Sequence, residues 1–308
     1  MNAAIRAVTR EALAQGAQVL GIQNGYSGLI AREVIPLQAR TVGGIINRGG
    51  TMLGSARCPE FRTEAGVEKG ADTLRSLGVD GLIVIGGNGS QAGAAQLAAQ
   101  GVHVIGVAST IDNDLAGSDM TIGVDTALNI ALEALDRLRV TACSHRRALL
   151  IEVMGRDCGF LALMTGLAGG AEAVIIPEVP TTPQEIADAL AAAWSRGKMH
   201  ALAVVAEGSP NNARVLDAYF RENRQRLGFD LRVTTLGHVQ RGGIPSAFDR
   251  ILATRLSAAA TNALLEGKTG MLAGWQKGGV TLTPYSEVVG RTKEPPRELL
   301  ALVHRLAQ

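Results

Sequence analysis

The chain has 308 residues, with 30 lysines and arginines against 28 acidic residues and a net charge of +2; at roughly 150 residues per domain that length gives about two domains. Near-neutral charge excludes the concentrated basic surface of a nucleic-acid binder, and 46% hydrophobic with 19% charged residues is the balance of a packed globular protein. No apolar run reaches the roughly 18 residues of a membrane span, the charged N-terminus is no secretory signal, and Cys58, Cys143 and Cys158 lack metal spacing, so a soluble cytoplasmic protein is expected.

Continuous apolar runs alternate with alanine-rich stretches. In chain order the runs are AQVLGI, DGLIVIGG, VHVIGVAST, ALLIEVMG, AEAVIIPE and HALAVVAEG. They are apolar throughout rather than alternating, which predicts parallel strands covered on both faces. Before ALLIEVMG, the residues Leu128, Ala131, Leu132, Leu135 and Leu138 recur at helical spacing. This repeated strand–helix pattern predicts a doubly wound α/β architecture. The 38 glycines are concentrated where strands give way to helices, positions at which the backbone can approach a phosphate closely.

Four segments carry chemistry. In the first, the apolar run ending at Ile85 enters Gly86-Gly87-Asn88-Gly89-Ser90 and then a helix, an arrangement that turns amides and a helix N-terminus toward an anion. Gly87, Gly89 and Ala92 also match a dinucleotide fingerprint loosely; Gly267-Lys268-Thr269 is no P-loop, because Asn262 stands where its first glycine belongs. The second segment is Ser109-Thr110-Ile111-Asp112-Asn113-Asp114. In extended backbone Asp112 and Asp114 point the same way, so one carboxylate can take a proton while the other supports a metal. The third, Glu152-Val153-Met154-Gly155-Arg156, puts a planar guanidinium at a strand end, with Arg147 just upstream. The fourth, Leu236-Gly237-His238-Val239-Gln240-Arg241-Gly242-Gly243, follows Arg232 and suits an anion pocket. Taken singly, each has an ordinary structural reading as a turn, a surface arginine capping a strand or a structural hydrogen-bonding histidine.

Together and in this order the four segments closely resemble the bacterial 6-phosphofructokinases. Asn47-Arg48-Gly49-Gly50-Thr51 and Gly54-Ser55-Ala56-Arg57 match as well, and the correspondence runs from Met1 to about Leu256. The resemblance implies the phosphofructokinase fold, two Rossmann-like three-layer α/β lobes with mostly parallel sheets. Residues 1–123 and 240–290 are expected to form the nucleotide-binding lobe, and residues 124–239 and 291–308 the sugar-phosphate lobe. It implies transfer of the γ-phosphoryl of ATP to the 1-hydroxyl of fructose 6-phosphate in glycolysis, with Mg²⁺ as cofactor.

Carried over residue by residue, Asp112 is similar to the family's base, with Thr110 beside it, and Arg156 to its transition-state arginine. Tyr26, Arg57, Cys58, Gly87, Asn88, Gly89 and Ser90 match nucleotide positions. Met154, Gly155, Glu207, His238 and Arg241 match sugar-phosphate contacts. Arg147 and Arg232 match arginines that the family supplies from an adjacent subunit, which implies a homo-oligomer, usually a tetramer. Arg6, Arg10, Arg139, Glu172, Lys198 and His200 match an effector site for ADP or phosphoenolpyruvate, with Ala39 in place of one of its arginines.

The pattern also departs from the family. Asn88 stands where the family usually has an aspartate that helps hold Mg²⁺, so the cation loses a negative ligand that Asp114 can replace. The family's opening strand and Gly-Gly-Asp loop precede the element matched by Met1-Asn2-Ala3-Ala4, so the native protein is expected to be longer. Pyrophosphate-using relatives carry a carboxylate and a lysine where this chain has Gly89 and Ser109; those small residues point to ATP. A pyrophosphate-dependent enzyme, an inactive effector-binding subunit and a Rossmann oxidoreductase are the competing readings, and the last leaves TIDND and GHVQRGG without a role.

Overall fold

The computed structural model describes residues 1–143, 148–198 and 200–307. The chain opens with α1 (Asn2–Ala14), β1 (Val19–Ile22), α2 (Gly25–Ala31) and β2 (Val34–Leu37). Next come α3 (Glu64–Ser76), β3 (Leu82–Gly86), α4 (Asn88–Ala99) and β4 (Val104–Ala108). A long α5 (Val124–Cys143) leads into β5 (Ala148–Val153), α6 (Phe160–Gly169), β6 (Ala173–Ile175), α7 (Pro183–Ser195) and β7 (Ala201–Ala206). They are followed by α8 (Ala213–Glu222), the short α9 (Arg224–Leu227) and β8 (Leu231–Thr235). The chain closes with α10 (Ala247–Leu265), β9 (Met271–Gln276), β10 (Gly279–Pro284), α11 (Tyr285–Val288) and α12 (Arg297–Leu306). None of the helices among the described residues is long and apolar enough to cross a membrane.

Two compact units share these elements. The first comprises Met1–Thr110, Leu115–Gly123 and Ile244–Thr292; the second comprises Ile111–Asp114, Val124–Gly243 and the stretch from Lys293 onward.

In the first unit a four-stranded sheet has the order β10-β9-β4-β3, parallel from β3 through β9 and closed by the antiparallel hairpin β9–β10. Lys277 and Gly278 form that hairpin's two-residue loop, both at positive φ, the conformation that matches the twist of paired strands. All five residues of β4 are buried, which is why VHVIGVAST reads as an unbroken apolar run. Ile105 and Val107 pack with Leu252, Leu256 and Leu272 in the core. The AQVLGI run behaves differently: β1 pairs antiparallel with β2 in a separate two-stranded sheet, and only Gly21 of it is buried. Asn2 is buried and anchors the next loop, donating to the carbonyls of Arg48 and Gly49 and accepting from the Met52 amide at 2.7 Å.

The second unit holds an all-parallel sheet in the order β6-β7-β5-β8. Every residue of β7 and all but Glu152 of β5 are buried, which is why the two central strands read as continuous apolar runs. Leu150, Ile175, Val205, Leu190, Leu216 and Phe220 form the core against α7 and α8. Thr182 starts α7 with a capping box to Glu185, and Asn212 caps α8 through the Val215 amide.

Candidate active site

Within the first unit, strand β3 ends at a buried Gly86 and the chain enters α4 through Gly87, whose extended backbone carries no side-chain cap. Gly87 lies so close to Thr110 that a Cβ there would stand 3.0 Å from the threonine Cβ, whereas at Gly89 a Cβ would meet open space. The Tyr26 hydroxyl donates to the Ser90 carbonyl at 2.5 Å, and its ring stacks on Phe61 with centroids 4.0 Å apart. Burial pushes the Tyr26 phenol well above its ordinary value. The Phe61 amide in turn donates to the Cys58 carbonyl. Tyr26, Cys58 and Ser90 are thereby tied together through Phe61, a residue that nothing in the sequence singled out, and the exposed Arg57 adjoins them.

A buried glutamine supports this loop from below. Gln91 is fully buried; its amide donates to the Gly86 carbonyl at 2.9 Å and to that of Val84, and its oxygen accepts from the Tyr285 hydroxyl. It lies across Gly106 of β4, where a Cβ would stand 2.0 Å from its Oε1.

The Asp-Asn-Asp segment is a bend rather than the extended stretch expected from sequence, with Asn113 buried at φ 54. Asparagine tolerates this left-handed conformation better than most residues. Asp114 is nevertheless close enough to act on Asp112. Burial lifts the Asp112 carboxyl above its ordinary value, with Asp114 adding to the rise; Arg156 and Arg241 oppose it, and Glu207 adds a little more. Asp112, Asp114, Arg156, Glu207 and Arg241 therefore share one electrostatic neighbourhood in the second unit.

The turn after β5 fixes Arg156. Gly155 is at φ 145 and Arg156 at φ 52, both in the region that side chains avoid. The Met154 amide donates to Gln240 Oε1 at 2.7 Å and the Arg156 amide to Glu207 Oε1 at 3.0 Å. Gly208 abuts the same turn: a Cβ there would stand 1.8 Å from the Arg156 carbonyl oxygen. At the turn's far end the Gly159 amide donates to Glu178 Oε1 at 2.8 Å. The neighbouring Cys158 thiol is pushed up to about 11 by burial, with Glu178, Asp114 and Asp112 contributing.

His238 and Arg232 are exposed, Arg232 lying in β8 opposite Leu149 of β5. Arg147 lies outside the described residues. Arg139, Glu172, Lys198 and His200 gather in the second unit. Glu172 is buried, accepting from Lys198 Nζ and from the Leu202 amide, while Arg139 donates to the Gly169 carbonyl. Burial lowers the His200 value, Glu172 opposing and Arg139 and Lys198 assisting. Arg6 and Arg10 sit on α1 in the first unit, half-buried and exposed respectively.

The second unit thus brings a buried carboxylate, Asp112, into the field of the turn-locked Arg156, and the first unit by itself carries a glycine-rich entry into α4. The family profile for phosphofructokinase matches residues 1–264. The chain is 52% identical, over its full length, to ATP-dependent 6-phosphofructokinase 1 of Thermus thermophilus, of which it covers 95%. It is 47% identical, with the same coverage, to the ATP-dependent 6-phosphofructokinase of Natranaerobius thermophilus. Among solved structures, phosphofructokinase from Saccharomyces cerevisiae superposes with a TM-score of 0.84 at 36% identity, over 93% of this chain and 42% of the longer yeast chain. The pyrophosphate-dependent phosphofructokinase of Marinobacter aquaeolei shares the fold, with a TM-score of 0.85 at 24% identity. This chain belongs to the phosphofructokinase family.

Proposed function

We propose that this chain transfers the γ-phosphoryl of ATP to the 1-hydroxyl of fructose 6-phosphate, giving fructose 1,6-bisphosphate and ADP. The observation that carries the reading is Asp112, a carboxylate lifted by burial and by Asp114, yet faced by two arginines. A base of raised pKa takes the hydroxyl proton as the oxygen attacks, and Arg156 meets the charge that develops on the phosphoryl group. Thr110 lies two residues from the base and, in this reading, assists it. Met154, Gly155, Glu207, His238 and Arg241 hold the sugar phosphate, joined by Arg147 and Arg232 from an adjacent copy in a homotetramer. Tyr26, Arg57, Cys58 and Gly87 through Ser90 hold the nucleotide. Arg6, Arg10, Arg139, Glu172, Lys198 and His200 form the effector site for ADP or phosphoenolpyruvate. The enzyme acts in the cytoplasm.

Mg²⁺ suits the available donors. Asp114 offers a carboxylate and Asn88 an amide carbonyl, while among the described residues no group of three His, Cys, Asp or Glu makes a dedicated cage. Nucleotide-bound magnesium takes one or two protein oxygens and fills its remaining positions with phosphate and water. When bound, it neutralises charge on the phosphates.

ATP rather than pyrophosphate is favoured by the open space beside Gly89, which leaves room for an α-phosphate. Ser109 is buried, its hydroxyl donating to the Ile122 carbonyl, in surroundings poorly suited to the lysine of pyrophosphate users. Turnover of fructose 6-phosphate with ATP and with pyrophosphate, measured in parallel with Mg²⁺, tests the reading. Turnover with ATP alone is expected. Turnover only with pyrophosphate overturns the donor assignment, and nucleotide binding without turnover makes the chain an inactive regulatory subunit.

A further inference from the structure

We propose that Gln240 is a positioning residue for the sugar-phosphate side of the site. Its side chain is 1% exposed, and in it a single amide joins three segments. Oε1 accepts from the Met154 amide at 2.7 Å, at the root of the turn that carries Arg156. Nε2 points to the Ala127 carbonyl in α5, at a longer 3.5 Å. The residue itself sits between His238 and Arg241 on a short turn, Gly237–Arg241, and Arg241 is one of the two arginines that act on Asp112.

The turn needs this support. Gly155 and Arg156 hold backbone conformations that persist only when their surroundings impose them. Glu207 grips the Arg156 amide, and Gln240 grips the chain two residues earlier. Removing the glutamine oxygen leaves a buried N–H without an acceptor, a penalty that a shift of the turn would relieve. Such a shift moves the Arg156 guanidinium, and loss of the tether frees Arg241 on the other side. Gln240 thus sets the positions of both cations facing the base.

The proposal rests on the fructose 6-phosphate kinase reading. In Gln240→Ala we expect the KM for fructose 6-phosphate to rise and kcat to fall, together by on the order of tenfold to a hundredfold, the scale of a small misplacement of reacting groups. The KM for ATP should stay within about twofold, well inside the roughly 1.4 kcal/mol that a tenfold change represents. Gln240→Glu supplies a second readout. A carboxyl buried here stays neutral at low pH, still accepts from Met154 and can donate to Ala127, so activity should approach that of the unchanged protein. As pH rises and the acid ionises it still accepts from Met154 but has no proton for the Ala127 carbonyl and adds a negative charge next to Arg241, so activity should fall along a limb that neither the unchanged protein nor Gln240→Ala shows. Amide hydrogen exchange at Met154, measured without substrate, should be slow in the unchanged protein and faster in Gln240→Ala. Unaltered sugar-phosphate kinetics in Gln240→Ala, or a pH profile of Gln240→Glu parallel to that of the unchanged protein, would overturn the proposal. If the unchanged protein does not phosphorylate fructose 6-phosphate, the functional reading fails on its own, and the exchange measurement still decides whether Gln240 holds the turn.

Discussion

Between β3 and α4 the chain turns on Gly87, with no side-chain cap on the helix and open space where a side chain at Gly89, in the first turn of α4, would stand. Between β5 and α6 it turns on Met154 through Gly159, where side chains take three backbone amides: Gln240 takes Met154, Glu207 takes Arg156 and Glu178 takes Gly159. The first loop is shaped by missing side chains and the second by side chains that grip the backbone. The difference follows from what each must present. In the proposed reading the first loop receives a phosphate chain, which amides and a helix dipole bind when there is room. A guanidinium facing a carboxylate must start from a fixed root, because its side chain has several rotatable bonds.

The sharpest way to break the contrast is to remove the group that the gripped turn serves. Asp112→Asn should lower kcat by roughly 10²- to 10⁴-fold, the usual worth of a positioned base. Stability should move the other way. Folding raises the pKa of Asp112, so ionising it costs stability, a penalty complete above the folded value and absent below the unfolded one. Asp112→Asn should therefore melt higher than the unchanged protein near neutral pH, and the gap should close as pH falls into the acid range.

Gly208→Ala tests the grip itself. Its Cβ would stand 1.8 Å from the Arg156 carbonyl, backbone against side chain, so the turn must move. Steady-state kinetics should show kcat/KM for fructose 6-phosphate falling on the order of tenfold to a hundredfold, with the KM for ATP steady. The opposite pattern is expected in the open loop. Gly89→Ala should change little, whereas Gly89→Asp should fold normally and raise the KM for ATP by on the order of tenfold, because a like charge then faces phosphate. The smallest effect concerns thiols. Cys158, buried and pushed up to about 11, should react with a thiol-specific reagent at neutral pH more slowly than the less buried Cys58 in peptide mapping of the folded protein.

Much of the fold is legible in the sequence. The six apolar runs each contain a strand, and for five of them the parallel pairing expected from continuous hydrophobicity holds in β3 to β7, with burial in β4 to β7 but only half-burial in the edge strand β3. AQVLGI misled because a short apolar run says nothing of its partner, and its partner is the antiparallel β2. Strands β8, β9 and β10 lie outside the six runs; β8 and β10 are half-polar or half-exposed edge strands, and the cue in Gln276-Lys277-Gly278-Gly279 is a turn signal rather than an apolar one. The chemistry-bearing residues are polar and sit in glycine-rich segments, so they stand out in a sequence. Their supports do not. Gln240, Gln91 and Glu178 look like ordinary loop or helix polar residues, and only tertiary hydrogen bonds reveal their roles, the two glutamines buried and Glu178 half-buried.

The crossing of Gln91 over Gly106 bears on how this sequence can vary. The strand gives up a side chain so that the amide can lie across it, and any side chain at 106 would collide with Gln91 Oε1 and with the Tyr285 hydroxyl. The two positions are consequently epistatic: a library randomised at 106 alone should return almost only glycine, while one randomised at 91 and 106 together should recover small–small pairs that neither single library contains.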